Sequence, residues 1–255
     1  MREVAMKELA SCLRLAPLML HINPVGLIRL GANNIERYSN LNVILNNIQK
    51  NGGNIAVPAY SYSYTKKEIY NIRNTPSDLN EISEFLRVNN KGKRTADANF
   101  SYLMFGDGFS SKHLSVSDYS TFGEGSLIEE VYNKNGYLGA IGGALEYLTE
   151  IHYLERKLNV SYRFDKIFKG SSVNNNGEVI NNQLIYFCRD LESDYSVSFV
   201  QLKEDIRLEG LVKIWKLEEY NLKIEVIKIQ KLYAFIKEKL LKNPEYLWKK
   251  KYQNE

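Results

Sequence analysis

His152 and Glu155 are the residues whose types and spacing point most directly to chemistry. They stand in the run LTEIHYLE (148–155). Three positions apart on a helix, an imidazole and a carboxylate share one face. An imidazole with a pKa of about 6.5 can accept a proton at neutral pH, and a neighbouring carboxylate fixes its tautomer and raises its basicity. The same spacing also describes a histidine in a surface ion pair, and the residues alone leave both readings open. The chain has only two other histidines. His113 lies in a polar Gly/Ser stretch (106–120) and reads as a surface residue; His21 follows an apolar run before Pro24 and reads as buried and hydrogen-bonded.

Further candidates have the chemistry of an anion site. NIAVPAYSYS (54–63) reads as a strand that breaks at Pro58, and Tyr60, Ser61, Tyr62 and Ser63 either line a cleft beyond it or pack as core. In NTPSDLNEISEFLR (74–87), Thr75 can cap a helix, Pro76 suits its first position and Asp78 its third. Thr75 and Ser77 would then sit at a helix N-terminus, where free N–H groups favour an anion. In KRTADANFS (93–101), Arg94 is either a phosphate contact or an idle exposed arginine. Asp97 either orients an amine or closes an Asx-turn. Arg163, Lys166 and Lys169 recur at spacing three in YRFDKIFKG (162–170), on one side if that run is helical, as a phosphate site or a solvated face.

The elements that must position these residues are legible in the periodicity. LAPLMLHIN (15–23) has strand length and is ended by Pro24 and Gly26. Ile35, Tyr38, Leu41, Leu45 and Ile48 recur at helical spacing until Gly52-Gly53. A strand–helix–strand succession of this kind predicts a crossover with partly parallel pairing. SLIEEVYNKNG (126–136) reads as a helix, YLGAIGG (137–143) as a buried strand and LEYLTEIHYLERKLN (145–159) as an amphipathic helix. QLIYFCRDL (183–191) and YSVSFVQL (195–202) read as a hairpin, and IEVIKI alternates before a helix from about Gln230. GSSVNNNGEVINN (170–182) reads as a loop, either a lid or an idle excursion, and as the place where one domain over 1–255 could divide into lobes.

In order and spacing these runs resemble the aminoglycoside 3-N-acetyltransferase family over about residues 15–170, and especially its branch of bacterial sugar N-acyltransferases. The resemblance implies a mixed, partly parallel α/β sheet with flanking helices. It also implies transfer of an acyl group from coenzyme A, as cosubstrate and without a metal, to an amine on a sugar. Thr149, His152 and Glu155 match the family's Thr-x-x-His-x-x-Glu element, which makes His152 the base and Glu155 its orienter. Thr75, Ser77, Tyr60, Ser61 and Arg94 would shape the cofactor side; Tyr62, Arg163 and Lys166 would serve the substrate side. The antibiotic-modifying members carry Arg-Ser-x-His-Pro where this chain has Arg94-Thr95-Ala96-Asp97-Ala98. An acidic residue there looks like the nucleotide-sugar branch, with Asp97 as a catalytic carboxylate that positions the amine. The expected acceptor is a nucleotide-linked amino-deoxysugar used for surface polysaccharide. An aminoglycoside antibiotic is the alternative, and a catalytically idle binding protein of the same fold is the second.

Composition bounds these readings without selecting among them. At 255 residues and 44% hydrophobic, the chain can bury a large core. A formal charge of +4 is too small to argue for nucleic acid and suits a small anionic ligand. The basic terminal run LWKKKYQNE (247–255) reads as a solvated, frayed helix end. Cys12 and Cys188 read as buried thiols rather than a disulfide or metal motif. No run has the length of a membrane span and no signal peptide is evident, so a cytoplasmic location is the default, with a homo-oligomer left open.

Overall fold

The computed structural model describes residues 2–89, 93–143, 145, 148–192 and 194–250. The strands are β1 (Arg2–Glu3), β2 (Leu18–Ile22), β3 (Ile55–Pro58), β4 (Tyr70–Asn71), β5 (Lys93–Arg94), β6 (Tyr102–Phe105), β7 (Tyr119–Ser120), β8 (Tyr137–Ile141), β9 (Arg163–Val173), β10 (Val179–Arg189), β11 (Tyr195–Val197), β12 (Lys213–Leu217), β13 (Leu222–Lys228) and β14 (Trp248–Lys250). The helices are α1 (Met6–Leu15), α2 (Asn34–Lys50), α3 (Glu81–Asn89), α4 (Leu127–Asn133), α5 (Ile151–Lys157), α6 (Val200–Leu208) and α7 (Ile229–Lys242).

Eight strands form the main sheet in the order β1-β12-β13-β8-β2-β3-β6-β5. The central strand β2 runs parallel to both β3 and β8, while β6 and β13 flank that trio antiparallel. The mixed, partly parallel sheet expected from the strand–helix–strand order is therefore present. All five residues of β2 are buried, as a strand covered on both faces requires. Leu18, Leu20 and Ile22 face a core shared with α1, α2 and α3; Met19 faces a second core shared with α4, α5, α6 and α7. His21, two positions from Met19, lies on that second face by strand alternation. The functional cluster is built there.

Local chemistry explains the element ends. Asn33 caps α2 by accepting from the Glu36 N–H, and Glu36 answers by accepting from Ala32 N–H at 2.8 Å. Tyr38, Leu41, Ile44, Leu45 and Ile48 face the core, whereas Ile35, which the helical spacing had placed with them, is exposed.

Several expectations are corrected. The helix after the TPSD run begins at Glu81 rather than at Pro76: Asn80 accepts from Ser83 N–H at 2.9 Å as its cap. Thr75 Oγ1 instead accepts from Asn71 N–H, Ser77 N–H donates to Glu84, and Asp78 N–H donates to Tyr60 O, which holds 75–78 in an irregular turn. Residues Arg163–Val173 form a strand rather than a helix, and β9 pairs with β10 across eleven rungs. The stretch 170–182 is thus mostly hairpin, with its turn confined to Asn174–Glu178. β10 does not pair with β11, which pairs with β14, and 200–208 is helical. Residues 248–250 are strand, and 251–255 lie outside the described residues. Residues 146 and 147 of the proposed 145–159 helix also lie outside them; α5 itself starts at Ile151. Cys12 and Cys188 are free and only half-buried. No helix among the described residues is long and apolar enough to cross a membrane.

Candidate active site

Ile151, Tyr153 and Leu154 anchor α5 in the second core, which leaves His152 at the margin of that core, 16% exposed. Its ring stands edge-on to Phe122 at 5.4 Å and tilted against Phe199 at 5.9 Å. Nδ1 lies 2.6 Å from Glu155 Oε2. Glu155 is fully buried and is held from two further directions: Arg163 Nε approaches the same oxygen at 2.7 Å, and Tyr162 OH donates to Oε1 at 2.9 Å. Arg163 Nη2 donates a long bond to His152 Nε2 at 3.4 Å.

This geometry fixes the tautomer. The carboxylate accepts the Nδ1 proton, and the lone pair lies at Nε2, where it accepts the long Arg163 bond. Burial, the largest influence, pushes the imidazole pKa down; the Glu155 bond and charge push it up, and the Arg163 guanidinium pushes it down again. The net position is below the ordinary value of 6.5, so the ring is a neutral base at pH 7. For Glu155, burial works upward, but the His152 bond and the His152 and Arg163 charges hold its carboxyl below its ordinary value.

Arg163 therefore belongs to the His152–Glu155 cluster. Its position in β9, rather than in a helix, puts Lys166 on the opposite strand face, and both Lys166 and Lys169 are exposed. The three cations do not converge.

Asp97 is buried and committed to a turn. Oδ1 accepts from Asn99 and Phe100 N–H at 2.9 and 2.8 Å, and Oδ2 accepts from Thr121 Oγ1 at 2.7 Å. Burial pushes its pKa up against these bonds. The carboxylate reaches His152 only through packing. It fixes Phe100 and the residue before Phe122; the Phe100 and Phe122 rings meet at 5.2 Å, and Phe122 faces His152. Tyr62 extends this aromatic wall, 5.4 Å from Phe100, with a backbone φ of 54° that a tyrosine rarely adopts. An Asp97→Asn variant keeps the acceptor that closes the turn. We expect it to fold with a melting temperature within a few degrees of wild type, and thermal denaturation checks this.

Arg94 is the second buried turn-former, not an exposed phosphate arm. Its guanidinium donates to Ser101 Oγ, Thr75 O and Ala59 O and lies over the Tyr70 ring. Ser61 is buried and donates to Ala98 O. His113, expected at the surface, is buried and bonds Glu130 Oε2 at 2.7 Å.

One cluster was not read from the sequence. Glu150, fully buried at the start of α5, places both carboxylate oxygens 2.9 Å from His21 Nε2 and accepts from Tyr102 OH at 2.9 Å. Tyr102 OH in turn lies 2.8 Å from Tyr60 OH. The expected burial of His21 is met. The available signal was Glu150 itself, an acid two positions before His152, masked because only the 149–152–155 face was counted.

A cavity of about 300 Å³ opens between these elements, lined by His21, Asn23, Pro58, Asn80, Ser83 and Thr149. It lies beside the end of β3 and the start of α3, where a cofactor cleft was expected, though Asn80 and Ser83 form its wall in place of Thr75 and Ser77. Thr149 connects it to the base, since its carbonyl accepts from His152 N–H at 3.0 Å. Among the described residues, no group of three or more His, Cys, Asp or Glu side chains is placed to hold a metal ion.

Comparison with known proteins gives this geometry its lineage. The sequence model of the aminoglycoside 3-N-acetyltransferase family matches residues 43–241, well over half of the chain. The chain belongs to that family. It is accordingly an acyltransferase. No curated protein matches the sequence. Among solved structures, the fold is similar to that of AAC-IIIb in a binary complex with CoASH, at a TM-score of 0.69 and 15% identity over 94% of this chain and 97% of that one. It is similar also to the apoenzyme of aminoglycoside acetyltransferase AAC(3)-IVa, at 0.63 and 16% over 96% and 92%. The YokD protein from Bacillus subtilis aligns at 0.64 and 15% over 94% and 93%.

Proposed function

We propose that this protein transfers an acyl group from acyl-coenzyme A to the amine of an amino sugar, and that the preferred acceptor is a nucleotide-linked amino-deoxysugar destined for surface polysaccharide. The observation that carries the reaction type is the His152 ring held by Glu155 at Nδ1, 2.6 Å away, with only a long Arg163 contact at Nε2. The thioester arm occupies the cavity beside Thr149, Pro58 and Asn80. As the amine nitrogen attacks the thioester carbon, the C–N bond forms and the carbonyl π pair moves onto oxygen. His152 Nε2 takes the amine proton, and Glu155 stabilises the resulting imidazolium. Collapse re-forms C=O and breaks C–S, and His152 returns the proton to the departing thiolate. No covalent enzyme intermediate is needed.

The choice of acceptor rests on charge. A polycationic drug is best held by exposed carboxylates. The carboxylates nearest His152 are Glu150 and Glu155; both are fully buried and spent on internal partners. The group beside Nε2 is a guanidinium. The second reading is an aminoglycoside acceptor, favoured by the family itself and by neighbours such as AAC-VIa, whose structure is bound to sisomicin. Mass spectrometry of product formation separates the two. We expect acylation of one or more dTDP- or UDP-linked amino sugars with acetyl-CoA or a longer acyl-CoA, and little on kanamycin- or gentamicin-type drugs. Robust drug acetylation with none on nucleotide sugars reverses the ranking.

A further inference from the structure

His21 and Glu150 form a second imidazole–carboxylate pair on the other side of the first turn of α5, and the proton-transfer steps above do not use it. The pair is nearly sealed, with Glu150 at 0% and His21 at 6% exposure, yet His21 also lines the cavity that reaches Thr149. Nε2 is equidistant from both Glu150 oxygens, so a proton sits there. Among the described residues Nδ1 has no hydrogen-bond partner, and it is not among the sealed, unpaired atoms. One ring nitrogen is thus held by a carboxylate, and the other makes no hydrogen bond among the described residues.

The buried carboxylate of Glu150 calls for a compensating charge. A carboxylate buried without a cation is costly, and Glu150 has no Lys or Arg in contact among the described residues. Its other side-chain partner is the neutral Tyr102 hydroxyl, backed by Tyr60. Burial alone would raise the Glu150 carboxyl, but the His21 charge and hydrogen bond hold it below its ordinary value. A His21 imidazolium would balance that charge, and its second ring N–H, at Nδ1, would be a donor on a residue that lines the cavity. The remaining polar groups on that wall, Asn23, Asn80, Ser83 and Thr149, are uncharged.

We propose that His21, as an imidazolium held by Glu150, donates from Nδ1 to the carbonyl oxygen of the bound thioester and stabilises the oxyanion that forms there; Glu150 acts through it as a positioning residue. The proposal rests on the acyl-coenzyme A reading above. It gives the two histidines opposite tasks. Neutral His152 removes a proton from the amine, and cationic His21 receives the charge that attack pushes onto oxygen. No proton leaves His21; when the tetrahedral carbon collapses, the carbonyl is restored and the donor is unchanged.

The test is the infrared stretch of acetyl-CoA carrying a ¹³C carbonyl, bound without acceptor. In the wild type the C=O stretch should move to lower frequency than in free acetyl-CoA. In His21→Leu it should return toward the free value, with kcat lowered by about 10²–10³-fold and the Kd for CoA, which has no acyl carbonyl, within a few-fold of wild type. His21→Gln, which keeps a donor, should recover part of both. If the leucine variant fails to fold, Glu150→Gln reads the same stretch and should move it part of the way to the free value. A stretch unshifted in the wild type, or unchanged in every variant that folds, overturns the proposal. So does a loss of affinity for CoA equal to that for acetyl-CoA, which would assign His21 to the pantetheine arm. Folded wild-type protein that binds neither CoA nor acetyl-CoA overturns the acyl-coenzyme A reading itself, and this inference with it.

Discussion

Replacing His152 with alanine should lower turnover by about 10²–10⁴-fold while leaving the affinity for coenzyme A nearly unchanged, because a general base contributes in that range and binds neither phosphate nor pantetheine. The pH profile sharpens the test. The base form of His152 is the deprotonated one, and its pKa is displaced below 6.5, first by burial and further by Arg163. The rate component that depends on it should therefore be complete at neutral pH and decline as pH falls through a value below the ordinary imidazole range. That acid limb should vanish in the alanine variant. A specific competitor predicts otherwise. If the amine arrives neutral and positioning supplies the catalysis, the rate follows free amine alone. A folded His152→Ala protein with near-normal turnover over about pH 6 to 9 would establish that competitor.

The contact between His152 and Glu155 was legible because a helix converts a spacing of three into proximity: His152 Nδ1 and Glu155 Oε2 meet at 2.6 Å. Arg163 was legible as a basic residue but not as their partner. Its contact depends on β9 being a strand, and the spacing of 163, 166 and 169 imitates a helix face. The start of α3 was misplaced for a related reason. Thr75, Pro76 and Asp78 have the composition of a cap, but Asn71, Glu84 and Tyr60, all outside the segment, engage Thr75, Ser77 and Asp78 respectively, and Asn80 caps instead. Asparagine and glycine content made 170–182 look like a loop, whereas only the Asn174–Glu178 turn uses it and eleven rungs of pairing absorb the rest. Asp97 shows the opposite case. The local Asx-turn reading describes the structure, and the carboxylate also accepts from Thr121, whose neighbour Phe122 packs against His152.

Removing the carboxylate of Glu155 should be the most destabilising single change in the site. Glu155 is 0% exposed and Arg163 3%, and they meet at 2.7 Å. In Glu155→Leu the guanidinium stays buried, keeping only the bond to Phe187 O at 3.2 Å and the long approach to His152. Breaking a buried pair from one side costs about 3–5 kcal/mol. For a chain of this size that is a fall in Tm on the order of 10 °C. The penalty belongs to the stranded charge rather than to the pair, so the double variant Glu155→Leu/Arg163→Leu should recover most of the lost Tm. Turnover should not recover with it. His152 Nδ1 then has no carboxylate to hold the ring or to stabilise its protonated form, and the orienting contribution is lost in both variants. Calorimetric melting and steady-state rates on the two single variants and the double therefore separate stability from catalysis. A double variant no more stable than Glu155→Leu would show that the pair itself, not the desolvated guanidinium, carries the energy. A double variant that regained wild-type turnover would remove Glu155 from the mechanism.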